Sequence, residues 1–224
     1  NPAETERDLD YAKRLNLNQI RTFVAYEAWL KDKPLFRKNL QHLARACQKR
    51  GIGLMTVVWG YTEEMIMKDS ERPLAREFAV DLVNTIGKEP GLAFWDVSNE
   101  PDWPATPPER VKRRLELARY MAGVFRELDP VTPTTIGCAF IGCTEQLADA
   151  VDVLSYHDYL ATRSQIRDTI ARAKALSAKT GKPIFNTELG CLGRANPYDI
   201  TLKEHAGAGI GWYIWELMIT QRWG

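Results

Sequence analysis

The stretch LAFWDVSNEP, residues 92–101, indicates the fold of this chain. Its first seven residues are mostly apolar or aromatic, which is typical of a buried β-strand. Residues 73–86 before it and 109–128 after it carry apolar side chains at spacings of three and four, which predicts helices that each bury one face. A buried strand between two amphipathic helices is the repeating unit of α/β proteins.

The same alternation runs along the whole chain. A third and a fourth helix pattern of this kind span residues 35–49 and 164–179, and glycine follows three of the four patterns as a C-terminal signal. Six more apolar runs have the length and composition of strands, and they span residues 18–24, 52–59, 134–140, 151–156, 183–187 and 211–217. Strands that alternate with helices pair in parallel through right-handed crossovers.

Seven strands fit either a doubly wound sheet or most of an eight-stranded barrel. The sequence has no GxGxxG after its first strand and no GxxxxGK[ST] motif, which removes the main support for a nucleotide-binding sheet. Polar residues instead collect at the carboxyl ends of several strands, where a (β/α)₈ barrel places its active site. We therefore predict an α/β fold of the TIM-barrel type in one catalytic domain, residues 1–224.

The composition argues against several classes of partner. Among 224 residues, 30 basic and 29 acidic side chains leave a net charge of +1, so we expect neither nucleic acid nor an anionic membrane as partner. No apolar run reaches the roughly 18 residues of a membrane span. The four cysteines form no paired CxxC motifs and the chain has only three histidines, which predicts buried thiols and no structural zinc site.

Two glutamates stand out because each directly follows a predicted strand. Glu100 lies at the end of the stretch quoted above, and Glu188 lies in IFNTELG, residues 184–190. In a parallel barrel both side chains would point into one crevice, where proximity and partial burial separate the pKa values of two carboxyl groups. Hydrolysis of a glycosidic bond needs such a pair, one to protonate the leaving oxygen and one to attack or to activate water. The alternative for each glutamate is a helix cap or an ion pair.

Four motifs follow one another in a fixed order. They are Asn99-Glu100-Pro101, His157-Asp158-Tyr159, Glu188 and Trp215, each at or after a predicted strand. This ordered set resembles the retaining glycoside hydrolases of clan A, and within the clan family 5, the cellulase and mannanase family. The resemblance spans nearly the whole chain. It implies double displacement on a β-linked poly- or oligosaccharide through a covalent glycosyl-enzyme, with no metal or organic cofactor, and it favours a secreted or extracellular location.

The resemblance also implies a role for each matching residue. Glu100 would be the general acid/base and Glu188 the nucleophile. Asn99 would donate a hydrogen bond to the sugar 2-hydroxyl, and such a bond strengthens in the transition state. Arg21 and Tyr159 would hold the nucleophile ionised and oriented.

Other side chains are expected to line the cleft. His157 and Tyr159 are two positions apart on one strand, so their side chains point the same way, and His157 would lie near the acid/base. Trp215 would form the floor of the subsite for the cleaved ring. Among aromatic residues that follow strands, Trp59 and Trp103 are predicted to contact sugar rings. Other aromatic residues in similar positions, for which we make no such prediction, are Trp29, Tyr61 and Trp223.

The sequence departs from the family pattern in two respects. The third-strand region, residues 55–60, lacks the histidine that the family usually has there, and no strand precedes the helix pattern at residues 5–15. The chain also ends nine residues after Trp215. We therefore expect a barrel without its first strand and last helix, incomplete at both ends, with the missing strand supplied by a further segment because an open barrel leaves unpaired edges.

Two other functions stay open at this point. One is a catalytically degenerate barrel that binds carbohydrate without cleaving it. The other is a metal-dependent α/β barrel with the ligands Glu100, Asp102, His157 and Glu188.

Overall fold

The computed structural model describes residues 2–60, 68–191 and 193–217. Strands and helices alternate through this part of the chain as predicted. The strands are β1 (Gln19–Phe23), β2 (Gly53–Val57), β3 (Leu92–Asn99), β4 (Thr134–Gly137), β5 (Leu154–Asp158), β6 (Ile184–Leu189) and β7 (Gly211–Ile214). The helices are α1 (Pro2–Arg14), α2 (Tyr26–Lys31), α3 (Lys33–Lys49), α4 (Arg72–Ile86), α5 (Pro108–Leu128), α6 (Ile141–Leu147), α7 (Arg163–Thr180) and α8 (Tyr198–Ala208).

All strand pairs in the two sheets are parallel. The first sheet has the order β1-β2-β3-β4 and the second the order β5-β6-β7. A parallel bridge between Cys138 and Tyr156 joins them, and the backbone N–H of His157 donates to the carbonyl of Cys138 at 2.8 Å. Since the strands run in one direction, their carboxyl ends meet at one face. The predicted α/β fold of the TIM-barrel type is confirmed.

The barrel is open between β7 and β1. Among the described residues these two strands share no backbone ladder, and their contact is a side-chain hydrogen bond from Tyr213 to Gln19. Helix α1 leads into β1, as the sequence indicates for a barrel whose first strand is not visible. The prediction that the last helix is missing concerns the chain after Trp215, and residues 218–224 lie outside the described residues.

Local sequence signals explain the helix ends. The side chain of Asp32 accepts a hydrogen bond from the N–H of Leu35 and caps α3, and Thr162 forms a capping box with Gln165 at the start of α7. Gly181 ends α7 with a φ of 70°, the left-handed conformation that glycine favours. Among the described helices, none combines the length and apolar character of a membrane span.

A cluster of aromatic side chains packs between β2 and the helices α2 and α4. Trp59 lies there with its ring centroid 5.0 Å from that of Tyr26 and 5.3 Å from that of Phe78, and its side chain is fully buried. Trp29 is buried in the same cluster. The prediction that Trp59 contacts a sugar ring is wrong, because the residue after β2 turns its side chain into the helix layer and away from the cleft.

The outer layer is tied to β3 by one buried hydrogen bond. The indole N–H of Trp95 donates to Asp129 at 2.9 Å, just after α5 ends. The backbone N–H groups of Val131 and Thr132 donate to the other carboxylate oxygen. Burial alone would raise the pKa of Asp129, but these hydrogen bonds hold it below its ordinary value. Asp129 therefore both closes the turn after α5 and satisfies a fully buried indole.

We expect Asp129→Ala to lower the free energy of unfolding by about 1–3 kcal/mol, because the buried indole N–H of Trp95 loses its acceptor. Urea denaturation followed by circular dichroism measures the change. The control is Asp149→Ala, which removes an exposed ion pair with Arg119 and should cost less than about 1 kcal/mol. Equal effects of the two substitutions would contradict the role given to Asp129.

Candidate active site

One pocket opens at the face where the carboxyl ends of the strands meet. Its walls come from the ends of β3, β5, β6 and β7 and from the loops that follow them. It contains six of the predicted site residues together with other side chains. Its lining residues are Asn99, Glu100, Trp103, Tyr159, Glu188, Trp215, Gly60, Arg114, Cys191 and Arg194. The parallel topology thus brings together residues that are far apart in sequence.

Arg21 on β1 contacts three polar side chains at this pocket. Its Nη1 donates to Glu188 Oε1 at 2.5 Å, its Nε to Asp96 Oδ2 at 2.8 Å and its Nη2 to Asn99 Oδ1 at 2.7 Å. Only 4% of the side chain is exposed. Burial alone would lower the pKa of Arg21, but the charges of Asp96 and Glu188 raise it above its ordinary value. The guanidinium therefore stays charged and holds three strands in one arrangement.

Asp96 is a site residue that the sequence reasoning missed. It is fully buried on β3, and its second oxygen accepts the backbone N–H of Gly137 at 3.0 Å. The available signal was a carboxylate inside a buried strand, since a buried charge needs a cation as partner. Gly137 is needed at this point because a Cβ there would lie 2.7 Å from Nη2 of Arg21 and 2.9 Å from Nε2 of His157.

Glu188 at the end of β6 is held by hydrogen bonds to both carboxylate oxygens. Arg21 donates to Oε1, and the hydroxyl of Tyr159 donates to Oε2 at 2.8 Å. Burial alone would raise the pKa of Glu188, but the electrostatic interaction with His157, the charge of Arg21 and these hydrogen bonds lower it below its ordinary value. Burial and the charge of Glu188 raise the pKa of Tyr159, which keeps its hydroxyl protonated as a donor.

Glu100 has a different environment. Its nearest polar partner is His157, whose Nδ1 lies 2.8 Å from Oε1. Its backbone has a φ of 45°, an uncommon value for a residue other than glycine, and its N–H donates to the carbonyl of Gly137 at 2.6 Å. The backbone of Glu100 thus turns sharply at the end of β3 and directs its side chain into the pocket.

The two carboxylates lie close together. One oxygen of Glu100, one of Glu188 and a ring nitrogen of His157 are all within 4.8 Å of one another. The register of the second sheet helps to produce this arrangement, since His157 on β5 is paired directly with Glu188 on β6 after a bulge. A carboxylate pair at this distance can act on opposite sides of a single bond.

A buried polar network supports Glu188 from below. Asn186 accepts the N–H of Glu188 at 3.2 Å, and its amide group lies 2.9 Å from Nε2 of His205. The other ring nitrogen of His205 lies 2.8 Å from the carbonyl of Thr201, which can only accept, so we assign the proton to Nδ1. Burial lowers the pKa of His205 and favours its neutral form. This network fixes the end of β6 from the helix side.

Among the described residues, two groups of side chains have the composition of a metal site. In the first, made of Glu100, His157 and Glu188, hydrogen bonds already engage Nδ1 of His157 and both oxygens of Glu188. The second contains Asp102, Cys138 and Cys143. Both oxygens of Asp102 there accept backbone N–H groups of the loop after β4, so this carboxylate ties two loops together.

The aromatic predictions have mixed outcomes. Trp103 and Trp215 line the pocket, and Trp215 packs edge-to-face against Phe23 with centroids 6.2 Å apart. Tyr61 and Trp223 lie outside the described residues. Sequence reasoning also missed Arg194, whose guanidinium carbon lies 4.0 Å from the centroid of the Tyr159 ring.

Comparison with known proteins identifies the fold. No protein-family model matches the sequence, and no curated protein matches it. An endo-β-1,4-mannanase from Thermotoga petrophila has a similar solved structure, with a TM-score of 0.72 and 13% identity over 94% of this chain and 64% of that chain. The chain shares the (β/α) barrel fold of this structure. It spans about two thirds of that mannanase.

Two further structures extend the comparison. A hyperthermophilic endo-β-1,4-glucanase, solved with substrate, has a TM-score of 0.73 and 14% identity over 96% of this chain and 82% of that chain. A β-galacturonidase from Eisenbergiella tayi, bound to galacturonate, has a TM-score of 0.65 and 20% identity over 96% of this chain and 40% of that chain. At these identities the similarity supports the fold and leaves activity to the residues of the site.

The hydrogen bond from Tyr159 to Glu188 predicts a change in acidity. We expect Tyr159→Phe to raise the pKa of Glu188, because the hydrogen bond from the Tyr159 hydroxyl favours the ionised form of the carboxylate. Titration of ¹³C-labelled glutamate side chains by NMR measures it. In the control Tyr11→Phe, on the outer helix α1, the pKa should stay at the wild-type value. An unchanged pKa in Tyr159→Phe would show that this bond does not support the carboxylate.

Proposed function

We propose that this protein is a retaining β-glycoside hydrolase that acts by double displacement through a glycosyl-enzyme on Glu188. The observation that supports it most is the pair Glu100 and Glu188, in which one oxygen of each carboxylate lies within 4.8 Å of the other and the two groups have different partners. Retaining enzymes have carboxyl groups about 5–5.5 Å apart, whereas inverting enzymes leave about 6.5–9.5 Å for a water molecule. The short separation favours retention.

In the first step Glu188 attacks the anomeric carbon of the sugar. Its lowered pKa keeps it ionised, and Arg21 and Tyr159 keep it oriented. As the new carbon–oxygen bond forms, the glycosidic carbon–oxygen bond breaks and Glu100 gives its proton to the leaving oxygen. The product of this step is a sugar bound through an ester to Glu188.

In the second step water releases the sugar. The water oxygen attacks the anomeric carbon while Glu100, now ionised, takes a proton from the water. Glu188 leaves as a carboxylate. His157, 2.8 Å from Glu100, is positioned to stabilise the ionised form of the acid/base between the steps. Both glutamates return to their starting protonation states.

Asn99 is placed to bind the sugar 2-hydroxyl. Its amide oxygen accepts a hydrogen bond from Arg21, and this assigns the amide orientation. The NH₂ group is then the part of the side chain left to face the pocket as a donor. A donor at this position stabilises the transition state, in which hydrogen bonds to the 2-hydroxyl strengthen.

The similar structures set the range of substrates to be tested. Their names include a mannanase, a glucanase and a galacturonidase, so the same fold occurs in proteins that act on neutral and on acidic sugars. We assign this chain a carbohydrate substrate, with residues 1–224 as one catalytic unit. A further segment that pairs with β7 and β1 would close the barrel. The degenerate, binding-only alternative is not favoured, because the carboxylate pair and its supporting hydrogen bonds are all in place.

The first test removes the nucleophile. Glu188→Gln should lower kcat/KM by at least about 10³-fold on every aryl β-glycoside that the parent protein cleaves, because the substituted amide cannot form the glycosyl ester. The control Glu145→Gln changes an exposed glutamate that pairs with Arg172 on the outer helices, and it should retain parental activity. A Glu188→Gln variant with parental activity would overturn the mechanism, as would ¹H NMR evidence that the first-formed product has the α configuration.

The second test separates the role of Glu100 from that of Glu188. In Glu100→Gln, kcat/KM should fall by about 10²–10⁴-fold for phenyl β-glycosides, whose leaving group needs a proton. The loss should be much smaller for 2,4-dinitrophenyl β-glycosides, whose leaving group departs without one. The difference between the losses of kcat/KM in the two series measures how far cleavage of the glycosidic bond depends on a proton from Glu100. Equal losses in both series would rule out Glu100 as the acid.

A further inference from the structure

Arg194 is a pocket residue that the steps above do not use. It lies in the loop after β6, and its guanidinium carbon is 4.0 Å from the centroid of the Tyr159 ring and 5.5 Å from that of Trp103. The side chain is half-buried and lines the same pocket as Glu100 and Glu188. The hydroxyl of Tyr159 donates to Glu188, so Arg194 and the proposed nucleophile both contact this one tyrosine.

The stacking leaves the hydrogen-bonding edge of Arg194 available. A guanidinium packs on an aromatic ring through its flat face, while its five N–H donors point outward in the plane. Within residues 2–60, 68–191 and 193–217, no group accepts a hydrogen bond from this side chain, and no carboxylate oxygen lies within 4 Å of it. Arginines on the outer helices differ, since Arg119 and Arg172, for example, pair with Asp149 and Glu145.

The acidic groups of the pocket have partners of their own. Glu188 is paired with Arg21 at 2.5 Å, and Glu100 contacts His157 at 2.8 Å. Arg194 is therefore not needed to neutralise either carboxylate. Its charge is held in a partly buried pocket where an anionic ligand gains more from a cation than it does in bulk water.

We propose that Arg194 binds the carboxylate of a uronic acid unit at the cleaved bond, which makes acidic β-linked oligo- or polysaccharides the substrate class. This assignment rests on the proposed glycoside hydrolase function. A carboxylate fits better than a sulfate ester because its two oxygens lie in one plane and match two parallel N–H donors of a guanidinium. Arg194 lies against the ring of Tyr159, and the hydroxyl of Tyr159 donates to Glu188. The recognised carboxylate therefore belongs to a sugar in contact with the catalytic pair.

A binding experiment tests Arg194 independently of catalysis. The probes are the methyl β-glycosides of glucuronic, galacturonic and mannuronic acid, each compared with its neutral parent sugar by NMR titration of the whole chain. At least one uronide should bind about tenfold or more tightly than its parent, and Arg194→Gln should abolish this preference. Arg194→Lys keeps the charge without the planar fork and should restore part of it, while the matched control Arg172→Gln should keep the wild-type ratio.

Several outcomes would overturn the proposal. These are equal or weaker binding of every uronide, and a ratio that Arg194→Gln leaves unchanged. The 6-sulfates of the same neutral methyl β-glycosides are titrated as a further probe, and tighter binding of a 6-sulfate than of the matching uronide would also overturn the proposal. A parallel loss of affinity for acidic and neutral sugars would show that Arg194 only positions Tyr159. Hydrolysis is measured separately, in the parent protein and in Glu188→Gln. A preference for uronides without hydrolysis would refute the proposed reaction but would still support the carboxylate site at Arg194.

Discussion

The arrangement of the site depends on the burial of one guanidinium. Arg21 has 4% of its side chain exposed and reaches Glu188, Asp96 and Asn99 from a single position on β1. A buried cation is stable only when carboxylates and hydrogen-bond acceptors surround it, and the loss of one partner of such a pair costs about 3–5 kcal/mol. The same interactions that keep Arg21 stable therefore hold β1, β3 and β6 in the arrangement that the chemistry needs.

The proposed catalytic pair shows how the protein gives two identical side chains different environments. Glu188 lies among Arg21, Tyr159 and His157, which lower its pKa although it is buried. Glu100 lies on a strained turn and contacts His157. In the proposed mechanism, the different neighbours of the two carboxylates distinguish the nucleophile from the acid/base. Arg194 adds a cation that neither glutamate requires.

Much of this could be predicted from the sequence, because strand and helix periodicity is a local property. The seven strands and the four main helices follow from apolar spacing, and the polar residues at strand ends indicate where the pocket lies. Predictions for single aromatic residues were less secure. Trp59 and Trp103 both follow strands, yet Trp59 is buried among helices and Trp103 lines the pocket. Trp59 lies two residues after the end of β2 and Trp103 four residues after the end of β3, and the alternation of side chains along a strand does not extend into the loop that follows it.

The sequence by itself determined the α/β class, the seven parallel strands and the identity of the carboxylates at their ends, because each of these depends on neighbours within a few residues. Only the tertiary structure decided that Asp96 shares Arg21 with Glu188, that His157 contacts Glu100, and that Arg194 stacks on Tyr159. These contacts join residues from different βα units. They depend on the bulges, the twist and the register of the whole sheet, which are set by the packing of all strands together and not by any one segment.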